Sequence, residues 1–440
     1  MDGEVEMKNL KIVRNKKQLI CMFSLYYVLF IGFFTWNFGL SESAYYILDI
    51  LILLLFPLCI GRIKKGILNK DVKLFTILIL GLLIVGTLSA IVQSFHLSLW
   101  IWSIRNWGRM IVFFYLAVAS LRLKIVDRTI NFFIRLYDIN TIVILMQFLF
   151  FNERYGTDQL NGFFGRVTNG INVTVSLLVF CIVLSGYFAK TISIKRVLLT
   201  VIEISIVAAL AELRAIFVFL VVIVFVYTII NIKLSANQLF KYLIIAVAVI
   251  SIMMISSNYL VRLYPQFEGF FNIRRIIADA TIEGGYGYTG YIDRLNAIPV
   301  INKYFFDGMG VWNKLFGIGM GNGEYSTLKF LTSSFYNQYG GTFRYLNFTS
   351  AMLYLEVGLV GLALYTISFI SLFLKFAKKI KHTTNNQKIF YENIGMGAAL
   401  ISIIFILYNN LQRTDAGIII AFFLAIPIIA RKEMKYGQYN

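Results

Sequence analysis

Arginine and lysine are segregated along this chain, and that segregation is the feature best able to do chemistry. Arg105, Arg109, Arg154, Arg166, Arg214, Arg262, Arg274, Arg275, Arg294, Arg344 and Arg413 fall in or beside one alternate set of connections between apolar stretches, while most lysines fall in the other set. A guanidinium is planar, keeps its charge when partly desolvated and offers paired donors that match a phosphate, whereas an ammonium is a hydrated point charge. Arginines at the ends of apolar stretches therefore suit a phosphate or pyrophosphate held at the level of lipid headgroups. The same residues can also anchor helices at an interface, or pair with Glu212, Glu268, Asp279, Glu283 and Asp293. The two histidines, His96 and His382, lie on opposite sides of the pattern, so no metal site is expected.

The elements that must position these arginines are apolar helices. Of 440 residues, 59% are hydrophobic and only 14% charged, a balance outside that of soluble domains. Stretches such as 74–91, and 216–230 and 242–255 with their flanks, are long enough to cross a hydrocarbon core as helices, the one open form that satisfies its backbone in lipid. Spans are predicted at 18–35, 43–60, 74–93, 105–121, 129–151, 168–188, 193–211, 214–231, 240–257, 346–373, 393–410 and 415–430. The first follows a basic segment without a cleavage site and reads as a retained helix. Cys21, Cys59 and Cys181 all fall within spans, so neither a disulfide framework nor a metal cluster is expected.

Charge then sets the sides. Connections 8–17, 62–73, 122–128, 190–196, 233–241, 375–388 and the tail from 431 are basic, and the positive-inside rule makes them and both termini cytoplasmic. Counted on this scheme, 20 Lys and 6 Arg lie inside, 3 Lys and 11 Arg outside, and Arg135 within a span. The +19 formal charge is thereby explained by topology, and nucleic acid is not an expected partner. Segment 258–345 is the one long hydrophilic connection, placed outside and expected to form short helices at the membrane surface. Arg135 and Asp138, three apart, can pair on one helix face, and Glu203 within a span needs a partner or a proton.

Three stretches in order resemble the Wzy-type O-antigen polymerase and O-antigen ligase superfamily. Ala-Glu-Leu-Arg-Ala-Ile-Phe-Val-Phe-Leu at 211–220 is similar to the family's arginine opening a span after a short outer turn, and points to Arg214. Tyr-Ile-Asp-Arg-Leu-Asn-Ala-Ile-Pro from 291, followed by Lys-Leu-Phe-Gly-Ile-Gly-Met-Gly-Asn-Gly from 314, resembles a loop arginine ahead of a glycine-rich turn, and points to Arg294, Gly317, Gly319 and Gly321. Asn-Phe-Thr-Ser-Ala-Met-Leu-Tyr-Leu-Glu-Val-Gly-Leu-Val-Gly from 347 resembles the segment leading into the next span, with Glu356, Gly358 and Gly361 in register. The likeness is strongest over 205–375. Where ligase-like members carry a histidine, this chain has Asn347. Arg154 with Gly165, and Arg274 with Gly285, match the R-x10-G spacing described for some polymerases.

The resemblance implies an all-α polytopic membrane protein of about 12 transmembrane helices, GT-C-like, with one large extracytoplasmic loop between helices 9 and 10. It divides the chain into a bundle at 1–204, a polymerase/ligase-like core at 205–375 and C-terminal helices at 376–440. It implies a multi-pass protein of the bacterial cytoplasmic membrane that joins undecaprenyl-diphosphate-linked oligosaccharides, donor to acceptor, by inverting and metal-independent transfer without a cofactor. Membrane lipid is then a partner, and a chain-length regulator protein is a further partner the resemblance allows. Arg214 and Arg294 are the expected catalytic residues, stabilising a departing pyrophosphate. Arg105, Arg154, Arg274, Arg275, Arg344, Asn347, Gly319 and Gly321 are the expected binding residues. Asp293, Glu283 and Glu324 can orient sugars or take a proton, with surface solvation as the ordinary alternative. Two other readings stay open, a ligase-type glycan transferase and a lipid-linked oligosaccharide flippase or transporter, and Glu203 is the residue that favours the transporter.

Overall fold

The computed structural model describes residues 2–67, 70–155, 159–165, 169–232, 262 and 292–435, and among them every regular element is a helix. A long first helix, α1 (Asp2–Phe38), is followed by α2 (Ile47–Ile67), α3 (Lys73–Gln93), α4 (Leu97–Ser120), α5 (Leu123–Tyr155), α6 (Asn169–Phe188), α7 (Ile194–Leu210) and α8 (Ala215–Asn231). Three short helices, α9 (Ala297–Tyr304), α10 (Val311–Phe316) and α11 (Ser334–Phe343), precede α12 (Thr349–Lys381), α13 (Asn386–Tyr408) and α14 (Ala416–Lys435). A helix occupies eleven of the twelve expected spans, and the twelfth, 240–257, lies outside the described residues. Seven of these helices are long and apolar enough to cross a membrane.

The bundle is apolar inside and outside. α6, α13 and α14 form its centre, with every residue from Ile171 to Gly186 buried, because a helix that is hydrophobic all round finds cover on all sides only there. α3 is peripheral. Its Leu74, Ile77, Leu80, Ile84, Leu88 and Ile91 recur at helical spacing and are each more than half exposed, a stripe suited to hydrocarbon rather than water. These helices make the protein membrane-embedded.

Among the described residues, several of the basic connections meet at one end of the bundle. At one end Asp71, before α3, meets Lys375 of α12 at 3.3 Å and Arg431 of α14 at 2.8 Å, and the Tyr391 hydroxyl donates to Asp127 at 2.6 Å. At the other end gather the start of α4, the segment before α12 and the α13–α14 turn. Burial alone would push the Asp71 carboxyl up, but Arg431 and Lys375 more than offset it and hold the group below its ordinary value. A depressed carboxylate contributes stability above its unfolded pKa and loses it as pH falls through the folded one. The melting-temperature gap between wild type and Asp71→Asn is therefore expected to be full above about pH 5 and to close toward pH 3. A gap constant across that range, measured on the purified protein, would contradict the assignment.

Two expectations are corrected here. Asp138 pairs not with Arg135 on its own helix but with Arg196 of α7, at 2.5 Å, and the same Arg196 stands 3.7 Å from Glu203, whose Oε2 is buried without a hydrogen bond. The stretch before α12 also does more than lie at a surface: part of it is wedged among α3, α4 and α12.

Candidate functional site

The wedge begins with a break in α12. Gly358 has φ 67° and ψ −165°, which releases the Leu355 and Glu356 carbonyls from the helical ladder. They accept instead from the Ile318 and Gly319 amides, each at 2.9 Å. The approach is close enough to demand glycine on both sides. A Cβ on Gly358 would lie 2.3 Å from the Leu315 carbonyl carbon, and one on Gly317 would lie 2.4 Å from that of Glu356. The chain then turns into the bundle, where the Met320 amide donates to the Gly86 carbonyl of α3 at 3.2 Å. Gly86 is about 10 Å below the end of its helix.

At the tip of the wedge lies a buried carboxylate. Glu356 has no exposure, and its Oε1 accepts from the Gly321 and Gly323 amides at 2.9 and 3.2 Å. Its Oε2 accepts from Ser103 Oγ at 3.1 Å and Trp107 Nε1 at 3.3 Å, both on α4. Four donors around one carboxylate supply what water would have supplied. Beside it Glu324, 1% exposed, pairs with Arg413 and accepts from Asn106 Nδ2 at 3.0 Å. The Arg413 guanidinium lies 4.5 Å from the centre of the Trp107 ring, a cation on an aromatic face.

From Arg413 the network continues outward. Its carbonyl accepts from Arg109 Nη2 at 3.3 Å, and Arg109 reaches Asp415 at 2.9 Å and Asp49 at 3.9 Å. Asp49 pairs in turn with Arg105. Arg105 also donates to Asn106 Oδ1 at 2.7 Å and stacks 4.6 Å from the centre of the Trp102 ring. Arg105 and Arg109 are not at a helix end, as expected, but about 12 and 18 Å into α4. Asp49 and Asp415 are the reason, because paired guanidinium groups need not stay at the interface.

Arg105 and Arg109 face a cleft of about 1090 Å³. Its other walls carry the rings of Trp36, Tyr45, Tyr46, Trp102 and Tyr325, the amides of Gln159, Asn169 and Asn409, and the carboxylates of Glu42 and Asp415. Aromatic faces with side-chain amides suit sugar rings and their hydroxyls, and a guanidinium held in place by a carboxylate suits a phosphate.

The other sequence-predicted residues fall into a second group. Arg294 lies 5.0 Å from the centre of the Tyr408 ring, and that ring packs edge-on against Phe219 of α8, at 4.9 Å between centroids. Arg214 opens the same helix as its N-cap, five residues before Phe219. The Ile292 amide donates to the Phe343 carbonyl at 3.1 Å, which brings the Arg294 segment beside Arg344, an exposed residue with φ 52°. Asn347 is exposed three residues on, and Asn410 donates to the Leu346 carbonyl at 2.7 Å. Arg214, Arg294, Arg344 and Asn347 thus gather around the end of α13, whose next residue, Asn409, lines the cleft of Arg105. Gly319 and Gly321 are apart from both, with their amides on Glu356. The backbone of Arg154 belongs to the last turn of α5, while its side chain, Arg274 and Arg275 lie outside the described residues.

Surface solvation does not describe Glu324 or Asp293, which are 1% and 4% exposed. Burial raises the Asp293 carboxyl above its usual value, with Arg294 pulling the other way. Asp49, Asp415 and the Tyr45–Tyr46 pair were not singled out from sequence. The single aspartates near the starts of the second and last spans were the signal that could have found the first two. No family model matches this chain, and no curated protein matches its sequence.

Proposed function

We propose that this chain polymerises undecaprenyl-diphosphate-linked oligosaccharide repeat units at the outer face of the bacterial cytoplasmic membrane, as a metal-independent inverting glycosyltransferase with twelve spans and both termini cytoplasmic. The observation that carries the reading is the cleft at the arginine-rich end of the bundle, where aromatic rings, amides and the Asp49-held Arg105 share one wall system. In the reaction an acceptor hydroxyl oxygen attacks the anomeric carbon of the donor. A new glycosidic bond forms, the bond to the diphosphate oxygen breaks with its electron pair, and the hydroxyl proton passes to water at the mouth of the cleft. Donors already fixed where negative charge develops lower the barrier without reorganising. Arg105 is such a donor, and Arg214 and Arg294, grouped at the end of α13, are the further cations for the lipid diphosphate.

Polymer length on a gel of surface polysaccharide tests the proposal. Deletion is expected to leave a single repeat unit, where loss of a flippase would leave none. Arg105→Lys and Arg214→Lys keep a charge but lose the paired donors, and each is expected to lower polymerisation about tenfold or more, equivalent to about 1.4 kcal/mol of transition-state stabilisation. Glu212→Gln is expected to cost little. Normal ladders from both lysine variants at wild-type expression would overturn the proposal.

A further inference from the structure

A second cleft, of about 660 Å³, opens at the same end of the bundle. Its chemistry differs from that of the first. No Asp, Glu, Lys or Arg lines it among the described residues, whereas Arg105, Arg109, Glu42 and Asp415 line the other. Its walls offer the rings of Phe305, Phe330 and Tyr339, the amides of Gln93 and Asn322, and the Ser98 hydroxyl. Phe330 is 69% exposed, so its ring is available rather than spent on the core. A volume in the range of about 300–1,000 Å³ is that of a site for a small organic ligand, and rings with neutral hydrogen-bonding groups select an uncharged polyhydroxy one.

The two clefts stand back to back. Leu99 lines the second and Trp102 the first, three residues apart on α4, or about 5 Å along its axis. Their other partition is the turn 325–332. Tyr325 and Thr327 face the first cleft, Phe330 and Thr332 the second. The turn is closed on itself, with the Ser326 amide donating to Thr332 Oγ1 at 3.1 Å and that hydroxyl donating back to the Ser326 carbonyl at 2.8 Å. The partition separates a cleft with fixed ionic groups from one whose hydrogen-bonding groups, His96 apart, are neutral, so the two suit different parts of a lipid-linked glycan. From this we infer that the second cleft is a saccharide-binding site that holds sugars of the acceptor glycan remote from its reacting hydroxyl, leaving the lipid diphosphate to the first. The identity of the occupant as an acceptor rests on the polymerase reading; the saccharide chemistry of the cleft does not.

Two probes separate the ideas on the full-length protein in nanodiscs: undecaprenyl diphosphate, and the phosphate-free repeat-unit oligosaccharide released by mild acid from the lipid of a strain lacking this protein. Ser98→Trp fills the second cleft from an exposed position in the first turn of α4, and Phe330→Ala removes an exposed ring, so neither disturbs the packed bundle. Each is expected to weaken oligosaccharide binding at least about tenfold while undecaprenyl diphosphate binding stays within about twofold of wild type. Arg105→Lys is expected to do the reverse. Unchanged oligosaccharide affinity in both cleft variants, or no oligosaccharide binding by the wild-type protein, overturns the inference. The polymerase reading is judged separately by the undecaprenyl diphosphate arm.

Discussion

Replacing either Arg413 by Met or Glu324 by Gln is expected to destabilise the protein by about 3–5 kcal/mol, because each leaves a charge or its former partner buried without compensation. The two groups are 7% and 1% exposed, and water cannot reach in to replace the lost partner. Replacing both together should cost less than the sum, with a coupling of about 1–3 kcal/mol, since the second change removes the group the first one stranded. Thermal unfolding of the purified protein in detergent, fitted across the four members of this cycle, measures it. Single losses below about 1 kcal/mol, or strict additivity, would show that the pair is weaker than its burial implies. The effect should reach the cleft as well. The Arg413 carbonyl holds Arg109, and Arg109 holds Asp415, so a loosened turn at 411–413 withdraws support from the charged wall.

That network marks the limit of what sequence conveyed. Hydropathy is a local property, so among the described residues the apolar stretches are helices close to where they were expected. Pairing is not local. Arg105 and Asp49 are 56 residues apart, Arg413 and Glu324 are 89 apart, and Arg109 and the Arg413 carbonyl 304 apart. Nothing in the spacing of one element announces a partner on another, and a buried guanidinium reads in sequence like an interfacial one. The start of α4 was missed for a related reason. Ser98, Arg105 and Asn106 dilute its hydropathy, and the helix persists because Arg105 and Asn106 find partners inside the fold. Glycine carried a different partial signal. The run from Gly317 to Gly323 announced unusual backbone, as it has, but a sequence does not say whether amides freed by such a turn face a ligand or a side chain. Here those of Gly321 and Gly323 face Glu356, a residue that sequence marked only as a landmark.

The backbone lock between that turn and α12 should be the least forgiving feature of the fold. Gly358→Ala meets two costs. Alanine at φ 67° and ψ −165°, a region essentially confined to glycine, is disfavoured by about 1–3 kcal/mol. The added methyl must also displace the Leu315 carbonyl carbon, 2.3 Å away, which is backbone and cannot rotate aside as a side chain can. Overlap in a packed interior costs about 1–3 kcal/mol more. A combined loss of about 2–6 kcal/mol is expected, read as a lowered melting temperature and reduced yield in the membrane. Gly108→Ala is the matched control. Gly108 lies in the helical interior of α4 with nothing within 4 Å of its added methyl, so the change should stabilise by up to about 1 kcal/mol. The damage at Gly358 should also be specific in kind. If α12 re-forms through residue 358, the Leu355 and Glu356 carbonyls return to the helix and the Ile318 and Gly319 amides lose their acceptors. Backbone amide exchange at Ile318 and Gly319 should therefore quicken in Gly358→Ala before exchange in the centre of α6 does. Wild-type melting in Gly358→Ala, or equal quickening throughout the bundle, would show that the break in α12 is not what holds the wedge in place.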